Sequence, residues 1–331
     1  MTKHCIIVGA SHAAAQLALS ARRHGWDGLI SVIGNEPHLP YHRPPLSKIY
    51  LTERETPGAS LIKAGAAFEK ADVNLKLGVV VNAIDRHLKS IRLDNGENLR
   101  YDKLALTVGA RPRTLRLPDS AKNGVTYLRT LEDARRIHNC VRSGGCAVVI
   151  GGGYIGLETA ASLRKAGMSV TVLETLPRIL GRVTTKKISK FYQRIHAEEG
   201  VEIVTDATVE KIEGDESVDS VTCAGGRSFP ADVVVIGIGV LPNIELAESA
   251  GLVVGNGIVV DEYARTSDPH IVAAGDCTWH YNSIYERHVR LESVQNANDQ
   301  ANVAAATVCG KPPSASTSEG TLPAPSTGPQ R

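Results

Sequence analysis

The chain has 331 residues, 42% of them apolar and 22% charged, with a formal net charge of +2. That length suits two or three domains with a large buried core, and the composition is ordinary for an α/β protein. The small net charge excludes a general attraction to nucleic acid or an anionic membrane, and no run is long enough to span a bilayer.

Met1-Thr-Lys-His leads almost at once into a predicted strand over 4–8, which leaves no room for a signal peptide. Cytoplasm is therefore the expected compartment. The strand turns at Gly9-Ala-Ser11-His-Ala13-Ala14 into an Ala/Leu-rich helix from Ala13 to His24, stopped by Gly25. A strand over 29–33 completes a βαβ unit. A loop rich in proline and basic groups follows, His38-Leu-Pro-Tyr-His-Arg-Pro-Pro-Leu-Ser-Lys48. Alternating segments over 73–93 predict a small antiparallel layer, with Asp94-Asn-Gly96 as a hairpin turn. Leu104 to Val108 returns to the parallel sheet and ends in a turn at Gly109-Ala-Arg-Pro112.

The pattern then repeats. A strand over 146–150 meets Gly151-Gly-Gly153-Tyr154-Ile155-Gly156, a helix runs from about 154 to 166, and Gly167 precedes a strand over 169–173. Another antiparallel patch is predicted through 201–230. Asp232-Val-Val-Val-Ile-Gly-Ile-Gly-Val-Leu-Pro242 is an apolar strand ending in a glycine turn. Ile271-Val-Ala-Ala-Gly-Asp276 delivers an aspartate at a strand's carboxyl end, where open α/β sheets hold ligands. Residues 311–331 contain five prolines and one large aliphatic residue, and are expected to be disordered.

A strand that turns on glycine into a helix brings bare backbone N–H groups to a pyrophosphate. Two such turns in one chain predict two dinucleotides and the passage of a hydride between them. Gly151-x-Gly153-x-x-Gly156 is a complete fingerprint, and Glu174, at the end of its second strand, lies 23 residues beyond Gly151. A carboxylate there accepts ribose hydroxyls and repels a 2′-phosphate, which favours NADH over NADPH. The first turn is imperfect. Ser11 replaces a glycine, Ala14 is a permitted third position, and Asn35 with Glu36 stands where an acid is expected. The cysteines (Cys5, Cys140, Cys146, Cys223, Cys277, Cys309) have no metal-ligand spacing, the histidines are scattered, and no metal is expected.

Four motifs together carry a specific resemblance: Arg43-Pro-Pro-Leu-Ser-Lys48, Gly151-Gly-Gly-Tyr-Ile-Gly-Leu-Glu158, Ala274-Gly-Asp-Cys277 and Arg290-Leu-Glu-Ser-Val-Gln-Asn-Ala297. In them the chain resembles the NADH-dependent ferredoxin reductases of bacterial oxygenase systems over roughly residues 3–312. The resemblance implies two Rossmann-like three-layer FAD/NAD(P)-binding domains, the second inserted into the first. The FAD domain would be built from 1–111 and 238–310, the NADH domain from 112–237.

Position by position, the resemblance implies FAD contacts at Gly9, Ser11, Ala13, Ala14, Asn35, Glu36, Arg43, Lys48, Val81, Arg129, Asp276 and Val294. Ala13 would lie on the pyrophosphate, Asn35 on the ribose, Lys48 near flavin N5, and Asp276 on the ribityl chain. The helix opening at Val294 would point its first N–H groups at the N1–C2 edge, where reduced flavin is anionic. NADH would meet Gly151, Gly153, Tyr154, Ile155, Gly156, Glu174 and Gly239. Lys48 and Glu158, paired in the resembled family, are the expected catalytic residues.

The implied activity is that of a ferredoxin–NAD(+) reductase. Hydride passes from NADH to FAD, then single electrons pass to a [2Fe–2S] ferredoxin that feeds a ring-hydroxylating dioxygenase or a P450. Disulfide reductases of the wider superfamily carry Cys-x4-Cys after the first unit, whereas no thiol stands between Cys5 and Cys140 here. Electrons must then leave from the flavin itself. A basic rim of Arg43, Arg287, His288, Arg290 and Lys311 would steer an acidic ferredoxin. The resembled family continues past Gly310-Lys-Pro312 into a third, interface-forming domain, whose place the 311–331 tail takes. Two other readings remain open on these residues: an NADH oxidase or diaphorase using oxygen or quinone, and a non-catalytic NADH-responsive flavoprotein.

Overall fold

The computed structural model describes residues 2–53, 60–117 and 122–311. They form two compact units: 2–42, 61–110 and 242–311 in one, and 43–53 and 60 with 111–117 and 122–241 in the other. Both are α/β, and each is built on a five-stranded parallel sheet.

In the first unit the sheet order is Ile271–Ala273, Lys103–Leu106, His4–Val8, Leu29–Gly34, Val73–Leu77. The central strand Cys5-Ile-Ile-Val8 is buried on both faces, as a doubly covered parallel sheet demands. One face carries the helices His12–Arg23 and Val294–Val308. Ala14, Ala18 and Ala21 meet Ala301, Ala304 and Ala305 in one core, and such small side chains let two helices approach closely. Asn302 Oδ1 fixes their register, accepting from Gln16 Nε2 at 2.8 Å and Ser20 Oγ at 2.7 Å. The other face is covered by the antiparallel strands Val81–Asp85, Ser90–Leu93 and Asn98–Arg100, with Ile84, Ile91 and Leu93 turned inward.

The second unit repeats this plan with the order Val125–Tyr127, Val233–Ile236, Cys146–Ile150, Ser169–Leu173, Val201–Val204. Its antiparallel layer is Val209–Glu213, Ser220–Cys223 and Ser228–Pro230, closing over Val148, Ile150 and Val234. Helix Leu131–Cys140 starts on a full capping box, Thr130 with Asp133, which satisfies two orphan donors at once. Residues 43–53 belong to this unit because Ser162 Oγ donates to the carbonyl of Ser47 at 2.8 Å and Tyr50 and Leu51 are buried. The sequence instead assigned them to the stretch 1–111.

Two local expectations are corrected. Val73–Leu77 and Val201–Val204 are parallel strands at sheet edges, not parts of the antiparallel layers. An edge strand meets solvent along one side, so its polar alternation imitates an antiparallel strand. The expected turn over 109–112 is confined to Gly109 (φ +63°), and Ala110–Pro112 is a strand paired with Val240–Pro242. The expected disordered tail begins at Lys311, whose N–H closes the last helix on Ala306 O at 3.0 Å; residues 312–331 lie outside the described residues. No helix among the described residues is long and apolar enough to cross a membrane.

Candidate dinucleotide sites

The turn at Gly9 has φ +107°, and a Cβ there would fall 2.2 Å from the carbonyl oxygen of Thr107. Only glycine tolerates both demands. The chain then enters the first helix through Ser11, an extended N-cap whose side chain makes no capping bond, with no acidic residue in the first turn. First-turn N–H groups without a side-chain cap suit an anionic ligand. Ala13 and Ala14 are buried beneath the turn. A Cβ on Gly275 would lie 3.4 Å from Ala13 Cβ, so Asp276 follows a residue packed directly against this helix end.

The two glycine turns are in the same register. Gly9 N donates to Ile33 O at 2.7 Å, and Gly151 N donates to Leu173 O at 2.8 Å. Gly34, not Asn35, therefore occupies the place that Glu174 holds in the second unit. An acid cannot stand at 34, because a Cβ there would come 2.4 Å from Ala10 Cβ. Asn35 is exposed one residue later, and Glu36 Oε2 accepts a short bond from the Tyr41 hydroxyl. Tyr41 was not a sequence candidate; its closeness to Glu36 was the available signal.

The second turn fits a dinucleotide closely. Gly151 has φ +109°, a Cβ on Gly156 would strike Gly151 O at 2.1 Å, and one on Gly153 would meet nothing within 4 Å. Helix Tyr154–Lys165 starts on Gly153 without a side-chain cap or a first-turn acid. Glu174 Oε2 accepts from Gly152 N at 2.7 Å and Oε1 from Leu176 N at 2.9 Å, which turns the carboxylate onto the glycine turn. Tyr154 and Ile155 present about half of their surface, 48% each. Gly239 (φ +104°) ends the neighbouring apolar run. Arg178, the nearest arginine, is spent on carbonyls: Nη1 donates to Thr184 O at 3.0 Å and Nη2 to Gly181 O at 2.7 Å.

Lys48 and Glu158 meet. Lys48 Nζ lies 2.5 Å from Glu158 Oε2, and Ser47 Oγ donates to the same oxygen at 2.7 Å. Pro44 and Pro45 hold the short 3-10 turn that presents them. Ser47, adjacent to Lys48 in the sequence motif, was not among the expected site residues. In the same unit Arg43 Nη1 donates to Arg129 O at 2.6 Å, and Arg129 N donates to Asp133 Oδ2 at 3.0 Å. Val81 is half-buried opposite Leu93, and Val294 is the first residue of the last helix, capped by Ser293 Oγ on Asn296 N. Of the expected FAD residues, Arg43, Lys48 and Arg129 lie in the second unit and the others in the first.

Two members of the expected basic rim are corrected. Arg290 is only 14% exposed and pairs with Glu292, and half-buried Arg43 is engaged with Arg129. A guanidinium with a planar fork and a carboxylate two residues away pairs locally instead of standing in solvent. Arg287 and His288 are exposed among Tyr285, Trp279 and Tyr281, and Lys311 is exposed.

All six cysteines are free thiols, and burial pushes Cys5 and Cys277 up to about 12. Both should stay protonated at pH 8, where only a thiolate reacts. Brief iodoacetamide labelling of the folded protein, read by mass spectrometry, should leave Cys5 and Cys277 unmodified. Labelling of either at the rate of the half-buried Cys146 would contradict the burial.

Residues 3–301 match the family model described as pyridine nucleotide-disulphide oxidoreductase. The chain is 44% identical to putidaredoxin reductase of Pseudomonas putida, over 93% of this chain and 74% of that protein. It is 41% identical to the anthranilate 1,2-dioxygenase system ferredoxin–NAD(+) reductase component of Burkholderia cepacia, over 92% of this chain and 75% of that one. Its fold matches a chain in the crystal structure of the covalent putidaredoxin reductase–putidaredoxin complex with a TM-score of 0.91 and 43% identity, covering 94% of this chain and 76% of that one. The two glycine cradles thus have a family: the chain belongs to the pyridine nucleotide-disulphide oxidoreductases, in their putidaredoxin reductase-like branch, a family that binds FAD and NAD(P)H.

Proposed function

We propose that this protein is an FAD-dependent NADH:ferredoxin oxidoreductase of an oxygenase system. The observation that carries the reading is a doubled dinucleotide cradle in a chain whose 41–48 segment ends in a lysine–glutamate pair and holds no thiol. FAD, when bound, accepts an electron pair from a reduced nicotinamide and releases electrons singly, as a [2Fe–2S] acceptor requires. The Gly9 turn and the N-terminus of the His12–Arg23 helix would hold its pyrophosphate, with Asp276 and the Val294 helix end as further contacts. Glu158 and Ser47 hold the Lys48 ammonium in one place. The similarity to a reductase solved in complex with putidaredoxin supports a ferredoxin as partner.

NADH is the proposed donor. Glu174 presents a carboxylate to the second glycine turn, and Arg178, the arginine nearest to it in sequence, is committed to two carbonyls and not offered to a 2′-phosphate. Glu174→Ala should narrow the preference for NADH over NADPH by about 1–3 kcal/mol, the range of a charged hydrogen bond. Equal kcat/KM for both nucleotides in the wild-type chain would refute the assignment.

The activity is tested by cytochrome c reduction with NADH, with and without an added [2Fe–2S] ferredoxin. Dependence on ferredoxin is the expected result. Oxygen consumption that ferredoxin does not change would establish an oxidase instead, and bound FAD without turnover would establish a non-catalytic flavoprotein.

A further inference from the structure

Gln300 lies two turns into the Val294–Val308 helix and reaches back to the strand end that carries Asp276. Its Oε1 accepts from the backbone N–H of Gly275 at 2.8 Å. Thr278 Oγ1 lies 2.9 Å from the same Oε1 and 2.9 Å from Gly275 O, so its one proton is shared between them. Because a backbone N–H can only donate, the orientation of the amide is fixed, and Gln300 Nε2 faces His280 Nδ1 at 3.0 Å. Nδ1 must then be the acceptor, which places the imidazole proton on Nε2 and makes the ring neutral.

We propose that Gln300 is a positioning residue for the Gly275–Asp276 turn, that it works only while His280 is neutral, and that protonation of His280 loosens the chain's grip on FAD. The inference rests on the reading of the first unit as the FAD unit. A protonated Nδ1–H meets an amide N–H head on. Gln300 can answer only by rotating its carbonyl to the ring, which withdraws the acceptor from Gly275 and Thr278. A buried donor left without a partner is costly, so the turn yields. Gly275 has φ +89° and packs against Ala13 and Ala297, so movement there reaches Asp276 and the first helix together.

The surroundings favour the neutral ring. Burial, then the neighbouring His288, hold His280 below histidine's ordinary range. Among the other charged groups on the elements packed around it, Arg290 after the His288 strand is ion-paired with Glu292 while its buried Nε makes no hydrogen bond, and this second cation also favours a neutral ring. Arg287 on that strand and Asp299 on the last helix are exposed, and Asp261 after the Ile258–Val260 strand accepts from Tyr263 N and Arg265 N. The helix itself offers His280 only the neutral Gln300 at bonding distance. A histidine held low is neutral above its ordinary value and charges only in acid, so the turn is firm at neutral pH and released as pH falls.

The test follows FAD release from the holoprotein by recovery of flavin fluorescence. Wild type should release FAD faster near pH 5 than near pH 7.5, approaching about tenfold as His280 becomes fully protonated, the scale of one lost hydrogen bond to a buried donor. His280→Asn keeps an acceptor for Gln300 but cannot titrate, and should release slowly at both pH values. Gln300→Leu should release fast at both. Gln300→Glu is the decisive variant: its carboxylate still accepts from Gly275 and gains a charged partner when His280 protonates, so the sign of the pH effect should reverse. A flat wild-type profile, or acid-accelerated release in His280→Asn or Gln300→Glu, overturns the proposal. Hydrogen exchange of the 271–280 segment, measured without FAD and corrected for intrinsic rates, probes the same turn independently. It should lose protection in acid in wild type and not in His280→Asn. A chain that shows this exchange pattern yet takes up no FAD would sink the FAD assignment and spare the switch.

Discussion

Gly151→Ala should abolish NADH binding while FAD is still bound, and Gly9→Ala should do the reverse. Each glycine sits in the left-handed region, φ +109° and +107°, and each added Cβ would meet a carbonyl oxygen of the same sheet, Gly237 O at 2.4 Å or Thr107 O at 2.2 Å. Neither atom is the free end of a side chain, so the strand itself must move. Strained backbone and lost ladder bonds together should cost about 3 kcal/mol or more within the affected unit. Flavin fluorescence titration, NADH difference spectra and thermal melting separate the two variants. If Gly151→Ala melts with the wild type and keeps its KM for NADH, the turn is not the close-packed element described above.

Lys48→Ala should slow NADH-dependent reduction by about 10²-fold, the usual result when a reacting group loses its positioning side chain. FAD should be retained. The ion pair with Glu158 is partly solvated, at 47% and 30% side-chain exposure, and such pairs contribute little to stability, about 0–1 kcal/mol. Melting should therefore hardly change, and this separates a kinetic role from a structural one. Glu158→Gln keeps an acceptor for Ser47 but removes the charge that fixes the ammonium, and should be slowed less than Lys48→Ala. Stopped-flow bleaching of the flavin band measures both. A Lys48→Ala rate within twofold of wild type would leave the pair as a mere fastening between the Pro44–Ser47 turn and the Tyr154–Lys165 helix.

Much of the fold was legible because buried parallel strands and glycine turns are written locally. Cys5–Val8, Cys146–Ile150 and Val233–Ile236 are unbroken apolar runs, and each of the first two is followed by glycine. Edge strands were not legible, since Val73–Leu77 and Val201–Val204 carry the alternation of a half-exposed surface. Of the candidate site, the closeness of Glu174 to the Gly151–Gly156 turn could be read from spacing alone. Ser47 and Gln300 could not, because their importance lies in partners far away: Ser47 reaches Glu158 across 111 positions, and Gln300 reaches Gly275 across 25. Arg290 failed for another reason. A charged letter in a sequence says nothing of the carboxylate that will cover it.

The two sheets share one spatial plan but draw their outermost strand from opposite ends of their sequences. In the second unit it is Val125–Tyr127, made before the other four strands; in the first it is Ile271–Ala273, made after them. Synthesis from the N-terminus therefore meets the two halves unequally. Strands His4–Val8, Leu29–Gly34, Val73–Leu77 and Lys103–Leu106 emerge early, and the Lys103–Leu106 edge waits unpaired until residue 271 has been added. All of the second sheet is complete by Ile236. The inserted half can thus finish folding on the ribosome while the outer half is still an open sheet, and its compact body brings the two ends of the interruption together. The late-made helix Val294–Val308 then closes the early-made one, so contacts that span more than 280 positions, such as Gln16 to Asn302, are made late.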